Sequence, residues 1–236
     1  METRFFFIVL NNERVYTFNS EQEFIIMAQI LKDNVKQMIV DSAIQDIFEH
    51  GFSNSSMRRI ASNAQMTVGN LYRYFKSKEE IVNYIIAPVL DKLNVVIEKH
   101  THQRIDFVNS SFDWSTVSLD AIMATLDELA VVLVDLSYHY PKSLMIMMMH
   151  GKIHQMIHEW FAKLISSFMV SKNLVNEQNQ TRCNLLARSY AASLFSGVKE
   201  CLLEKHIDKE EMVQVIQIYF SGCFMMLEHN FELLEG

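Results

Sequence analysis

From Ala28 onward the apolar positions recur at helical spacing. Ile39, Ala43, Ile44, Ile47 and Phe48 fall on one face of a first helix, and Gly51 is placed to end it. Ser56 can cap a short second helix that carries Met57, Ile60 and Ala61 inward. A tight turn over 62–66 leads to a third helix over about 67–74. Ser77 then caps a fourth, with Glu79 and Glu80 in its first turn where the helix dipole favours acids. Pro88 lies inside that fourth helix and predicts a kink or break, either a hinge or a fixed bend. Residues 101–118 are polar and turn-rich, as a loop would be. Helices are expected beyond them at about 119–139, 142–150, 152–171, 178–204 and 208–233. Asp208 and Glu211 form a capping box for the last.

Residues 1–26 differ from the rest. "FFFIVLNNERVYTF" holds two β-prone runs around Asn11-Asn12, which fits a hairpin. The alternative is an overextended start, with Met27 opening the natural protein and Glu21-Gln22-Glu23 reflecting the purine-rich codons of a ribosome-binding site.

Composition narrows the class. Six glycines and two prolines in 236 residues are too few for the turns of an all-β protein, so the expected fold class is all-α. A net charge of −7 argues against a nucleic-acid coat or a polybasic membrane anchor. That charge is unevenly spread: residues 27–85 hold seven basic side chains against six acidic, whereas 86–236 hold twelve against eighteen. The early segment is therefore the part that tolerates a phosphate backbone at close range. Cys183, Cys201 and Cys223 form no CxxC pair and read as small buried hydrophobes in a reducing cytosol. No apolar run approaches the ~20 residues of a membrane span, so a cytoplasmic chain without membrane contact is expected. No GxSxG, P-loop, GxGxxG or HExxH is present, which argues against an enzyme and against a cofactor.

Helix, turn, helix with a short exposed second helix is a DNA-reading unit, and the chemistry fits. Ser55 and Ser56 offer backbone amides and hydroxyls to a phosphate, and Arg58 can reach a base edge. Thr67, Val68 and Asn70 crowd the start of the third helix. There Val68 suits a thymine methyl and Gly69 permits close backbone approach. Tyr72, Tyr74 and Lys78 can line up on phosphates, which would explain the crowding of aromatics and cations in "NLYRYFKSKEEI". The competing reading, a plain aromatic core, accounts for Tyr72, Tyr74 and Phe75 without the surrounding pattern.

The stretch "IASNAQMTVGNLYRYFKSKEEI" (60–81), preceded by "EHGF" and "SSMRR", resembles the signature of the TetR family of bacterial transcriptional regulators. Ile60-Ala61, Ala64, Gly69, Leu71-Tyr72, Tyr74-Phe75 and Lys78 carry the resemblance over about 50 residues. It implies base or phosphate roles for Ser56, Arg58, Thr67, Val68, Gly69, Asn70, Tyr72, Tyr74 and Lys78, with Leu71 and Phe75 in the core. Gln65 departs from the family pattern, which has glycine at this turn position and a left-handed backbone. The implied architecture is an N-terminal three-helix DNA-binding domain over 28–77, after an extension over 1–27. A helical effector and dimerisation domain would follow over 78–236.

The implied partners are a palindromic double-stranded operator, a second copy through 178–204 and 208–233, and a small apolar or amphipathic effector. The flexible and flat side chains of "LMIMMMHGKIHQMIHEWF" (144–161) suit an adaptable pocket, so Met145, Met148, Met149, Trp160 and Phe161 are its candidate lining. His150, His154 and His158 stand at i, i+4 and i+8. They could share a metal or meet haem iron, although no cysteine or carboxylate cluster joins them and Gly151 can break the helix. A half-exposed polar stripe is the plainer reading. A regulator that answers to a protein partner instead of an effector also fits the sequence. Effector, operator, target genes and the choice between repressor and activator are not written in it.

Overall fold

The computed structural model describes residues 8–11, 14–17, 20–104, 117–204 and 206–229. It divides into two compact units, Met1–Tyr84 and Ile85–Gly236. In the first unit, strands β1 (Ile8–Asn11) and β2 (Arg14–Thr17) pair antiparallel, with Ile8 opposite Thr17 and Asn11 opposite Arg14. Helix α1 (Glu21–Asn54) begins well before the expected Ala28. The Ser20 hydroxyl accepts the Glu23 amide at 3.2 Å, and Glu21 and Glu23 occupy the first turn, so polar residues upstream of the apolar pattern already form a capped helix start.

Gly51 adopts φ 76° and ψ 157° inside α1, kinking the helix where the pattern placed its end. A positive φ of this kind suits a residue without Cβ. Ile39, Ala43, Ile44 and Ile47 are buried as their spacing predicts, but Phe48 is exposed, because the buried position beside Ile47 belongs to Asp46. Helices α2 (Met57–Asn63) and α3 (Val68–Leu71) pack against α1 and each other, with Ile60, Ala61, Leu71 and Phe75 buried.

Helix α4 (Lys78–Thr101) opens with a reciprocal cap: Ser77 Oγ accepts the Glu80 amide at 3.1 Å, and Glu80 Oε2 accepts the Lys76 amide at 2.6 Å. The helix continues through Pro88, so that of the expected kink or break no break occurs. The pattern placed a domain boundary at 77/78. The first turns of α4 nonetheless bury Ile81 and Val82, and Tyr84 meets Phe75 edge-on at 5.6 Å, so the first unit extends to Tyr84.

The second unit comprises the rest of α4 and five helices: α5 (Leu119–His139), α6 (Pro141–Met149), α7 (Gly151–Ser171), α8 (Gln180–Leu203) and α9 (Lys209–His229). The expected loop over 101–118 falls largely on residues outside the described set, as do residues 230–233 of the last expected helix. Leu126, Val134, Leu136, Leu164, Ile165, Leu194, Ile216 and Phe220 form the centre, each large side chain stabilising the unit by about 1.5–3 kcal/mol. Asp135 on α5 gathers Lys209 of α9 at 2.7 Å, His139 at 3.2 Å and Lys92 of α4 at 3.4 Å. The Lys209 bond leads in holding its carboxyl below the ordinary range. The three cysteines are free thiols, pushed up by burial.

Helices α8 and α9 meet closely at Gly197, where an added Cβ would overlap the Tyr219 ring. Tyr219 is itself fixed by donating its hydroxyl to Ser193 O at 2.7 Å. Gly197→Ala should therefore lower stability by about 1–3 kcal/mol, read as a fall in Tm. Adding Tyr219→Leu should recover part of that loss, a non-additivity expected for touching residues and absent if the two positions act independently.

Candidate nucleic-acid interface and apolar cavity

The first unit is organised around Asp46, a fully buried carboxylate on the apolar face of α1. Its Oδ2 accepts the Ser56 amide at 3.1 Å and its Oδ1 takes the Arg59 guanidinium. His50 Nδ1 lies 3.3 Å from the same oxygen. Arg59 also donates to Asn54 O, so one arginine ties α2 both to the middle and to the end of α1. Sequence reasoning missed this pair. The available signal was an acid at a position of the Ile39–Ala43–Ile47 stripe, which a helix buries.

That bonding corrects the expected role of the α2 N-terminus. The Ser56 hydroxyl accepts the Arg59 amide at 3.2 Å, and the Ser55 amide donates to Gly51 O at 3.0 Å. Both amides that were assigned to a phosphate are thus engaged within the unit. Lys78 differs from expectation in a similar way. Its ammonium donates to Phe52 O and to Ser55 O, the latter at 3.0 Å, and lies 4.2 Å from the centre of the Phe52 ring. It holds the end of α1, and any phosphate contact has to be made by a lysine already serving that purpose.

The turn between α2 and α3 has a definite geometry. Met66 N donates to Ala61 O at 2.9 Å and Gln65 N to Ser62 O at 3.0 Å, the paired bonds of a Schellman ending, with Gln65 left-handed at φ 53°. This is the conformation that the resemblance implied, held here by a residue with a Cβ at a cost of about 1 kcal/mol. Thr67 caps α3 by accepting the Asn70 amide at 3.2 Å.

With Leu71 and Phe75 turned inward, the remaining side chains sort cleanly. Arg58, Thr67, Gly69, Tyr72 and Arg73 are exposed; Ser56, Val68, Asn70 and Tyr74 are half-buried. Nothing stands within 4 Å of a Cβ added to Gly69, so its value would lie in what approaches from outside. Tyr72 is 49% exposed, which the aromatic-core reading does not account for. Arg73 and Lys76 are exposed in the same segment and were not among the assigned residues.

The second unit contains an apolar cavity of about 70 Å³ between α4, α5, α6, α7 and α8. Met148, Trp160 and Phe161 are part of its lining, together with Met147, Leu144 and Ile157. Met145 and Met149 do not: Met145 is half-buried away from the lining and Met149 is 51% exposed, because α6 ends there and its register turns them aside. Phe195 and Val198 of α8 also line the cavity, within the segment 178–204 through which the resemblance implied pairing with a second copy.

The three histidines are not brought together. His150 sits at the break between α6 and α7, buried, its Nδ1 accepting the Ile153 amide at 3.4 Å. The ring of His154 packs edge-on against Phe195 at 4.6 Å. His158 is half-buried further along α7. His150 is the N-cap of the helix that carries the other two, and its carbonyl accepts the His154 amide at 2.7 Å. Among the described residues no group of three or more His, Cys, Asp or Glu is placed to hold a metal. Among them, too, no helix is long and apolar enough to cross a membrane.

Comparison with known proteins agrees with the helix-turn-helix geometry. Residues 39–85 match the family model for bacterial regulatory proteins of the tetR family. HTH-type transcriptional regulators of Staphylococcus aureus strains USA300 and NCTC 8325 / PS 47 are each 34% identical over 97 residues, covering 41% of this chain and 50% of theirs. The chain thus spans about half the length of the curated relatives it matches. A TetR-family regulator from Bordetella parapertussis 12822 is similar at 15% identity and a TM-score of 0.48, over 79% of this chain and 94% of that one. A TetR-family member from Streptomyces coelicolor A3 is similar at 13% identity and a TM-score of 0.48, over 76% and 87%. The likeness to the tetR family of bacterial regulatory proteins thus lies in residues 39–85, across the helix-turn-helix.

Two expectations follow from the geometry. Asp46→Ala leaves Arg59 and the Ser56 amide without their shared acceptor. It should cost about 2–3 kcal/mol, the low end for a broken buried pair because Arg59 is partly exposed; an unchanged urea midpoint would contradict this. Gln65→Gly removes the left-handed penalty and should raise Tm, by up to about 1 kcal/mol of stability.

Proposed function

We propose that this chain is a cytoplasmic DNA-binding transcriptional regulator that works as a homodimer on a palindromic operator, as a repressor released by a small apolar or amphipathic effector. The observation that carries the reading is the division within α2 and α3. Apolar residues are buried, while Arg58, Thr67, Gly69, Tyr72 and Arg73 lie exposed at the ends of two short capped helices. The start of α3 would enter the major groove, with Val68 and Asn70 at base edges and Arg58 reading guanine through its paired donors. Tyr72, Tyr74 and Arg73 would hold phosphates, which fix register without carrying base information. Lys78 would contribute mainly by keeping α1 in place.

A dimer is supported by the outer face of α8 and α9. Ile218 and Met225 are 71% and 69% exposed, and Leu185 is exposed on α8. Large apolar groups so placed favour a covering partner, and a two-fold pairing would set two recognition helices one DNA turn, ~34–36 Å, apart. The cavity favours an effector over a purely protein-regulated version. Its lining includes Leu93 and Ile97 of α4, the helix that begins at Lys78, so filling it would act on α4. Release would then be a population shift toward a spacing that no longer matches successive grooves.

The test is gel retardation on operators selected from random DNA, over a salt series. Arg58→Ala should cost about 1–3 kcal/mol on the selected operator and little on unrelated DNA. Arg73→Ala should weaken both alike and flatten the salt dependence by about one phosphate contact. Lys78→Ala should lower Tm before any DNA is added, separating its structural part from a DNA contact. Selection that enriches no sequence, or retardation indifferent to Arg58 and Arg73, would overturn the interface.

A further inference from the structure

Lys36 stands one turn before the buried Ile39 and Val40 of α1, and its charge rests on aromatic rings. The ammonium lies 3.8 Å from the centre of the Tyr84 ring of α4 and 5.4 Å from that of Phe75. These two rings meet edge-on at 5.6 Å, so one lysine bears on both. Ring faces carry negative charge density and attract a cation within about 6 Å of the centroid. The lysine is half-buried, as a stem laid on apolar surface with its head kept in water should be.

Phe75 is the ring that bears on α3. It is 2% exposed, and its amide donates to Leu71 O at 3.1 Å, at the last residue of that helix. Phe75 follows α3 by one turn, so where its ring seats decides how α3 is presented. Tyr84, by contrast, is 44% exposed, and apolar packing at such a rim would hold its ring only loosely. A cation is more directional, because its attraction depends on standing over the ring face rather than beside the edge. Resting on the DNA-binding reading above, we infer that Lys36 is a positioning residue for base readout. Its charge, acting through Tyr84 and Phe75, sets the orientation of α3, and it makes no contact with DNA.

The test compares the full chain with Lys36→Met, which keeps a long stem without the charge, and with Lys36→Arg, whose guanidinium also seats over a ring face. Lys36→Gln serves if Lys36→Met fails to fold. Retardation of the selected operator and of unrelated DNA is measured over a salt series. Lys36→Met should weaken operator binding about 3–10-fold and leave both unrelated DNA and the salt slope unchanged. Lys36→Arg should bind within about twofold of the parent chain. Tyr84→Leu should reproduce the loss, and Lys36→Met should add nothing to it. Amide NMR without DNA is the second measurement. Signals of Val68–Leu71 should move in Lys36→Met and stay in place in Lys36→Arg. Weaker binding to all DNA, with the salt slope flattened by about one, would make Lys36 a phosphate contact and overturn the inference. Equal losses in both lysine substitutions, or a lower Tm with operator affinity unchanged, would overturn it as well. If selection enriches no operator, the DNA-binding reading itself fails. Amide signals that stay put in a Lys36→Met chain, when the parent retards its operator, overturn the role of Lys36 alone.

Discussion

A single buried carboxylate holds the first unit in the shape its interface requires. Asp46 accepts from the Ser56 backbone and the Arg59 side chain, and it does so from the middle of the apolar face of α1. Burying a carboxylate is costly unless charge and hydrogen bonds compensate it, so Asp46 fixes where α2 can start as well as how it is oriented. The kink at Gly51 is part of the same constraint. It returns the chain so that Asn54 O and Ser55 O reach Arg59 and Lys78, two cations that close off the end of α1. The positive groups nearest α2 thus divide into those spent on architecture, Arg59 and Lys78, and those left outward, Arg58 and Arg73.

Once α2 is placed, short-range rules complete the turn. The Schellman bonds at Ala61 and Ser62 satisfy carbonyls that would otherwise be orphaned, and Thr67 satisfies an amide at the start of α3. Helix α3 is only four residues long and could not persist alone in water. Leu71 and Phe75 anchor it, and the ring of Tyr84 meets Phe75 from α4. The outcome is a short capped helix with Thr67 and Gly69 exposed at its start.

The second unit follows a different logic. Its helices are long and mostly apolar on the inside, and close approach depends on one small residue, Gly197 under Tyr219. Packing is dense at α7 and α8 but incomplete where α4, α5 and α6 meet them, leaving the apolar cavity. Met147 and Met148 stand in its wall, and their flexible thioethers repack at small cost.

Much of this was legible in the residues. Helices and the caps at Ser56, Ser77 and Asp208 follow from local rules that act within one or two turns, whereas the left-handed turn at Gln65 and the inward Leu71 and Phe75 were implied by the family resemblance. The N-terminal hairpin was likewise foreseeable from its two β-prone runs. What local rules cannot supply is which polar group meets which across the fold. Lys78 looked like a DNA contact because a cation beside tyrosines on a charged segment has no local partner; its partners, Phe52 O and Ser55 O, are more than twenty residues away. The Asp46–Arg59 pair and the place of Phe195 at the cavity likewise depend on distant neighbours. The sequence by itself determined the helices and their faces, because periodicity and capping are properties of adjacent residues. Tertiary structure alone decided which charges are free to leave the protein and which are consumed within it, because a charge is satisfied by whatever lies within about 3 Å, however far along the chain that is.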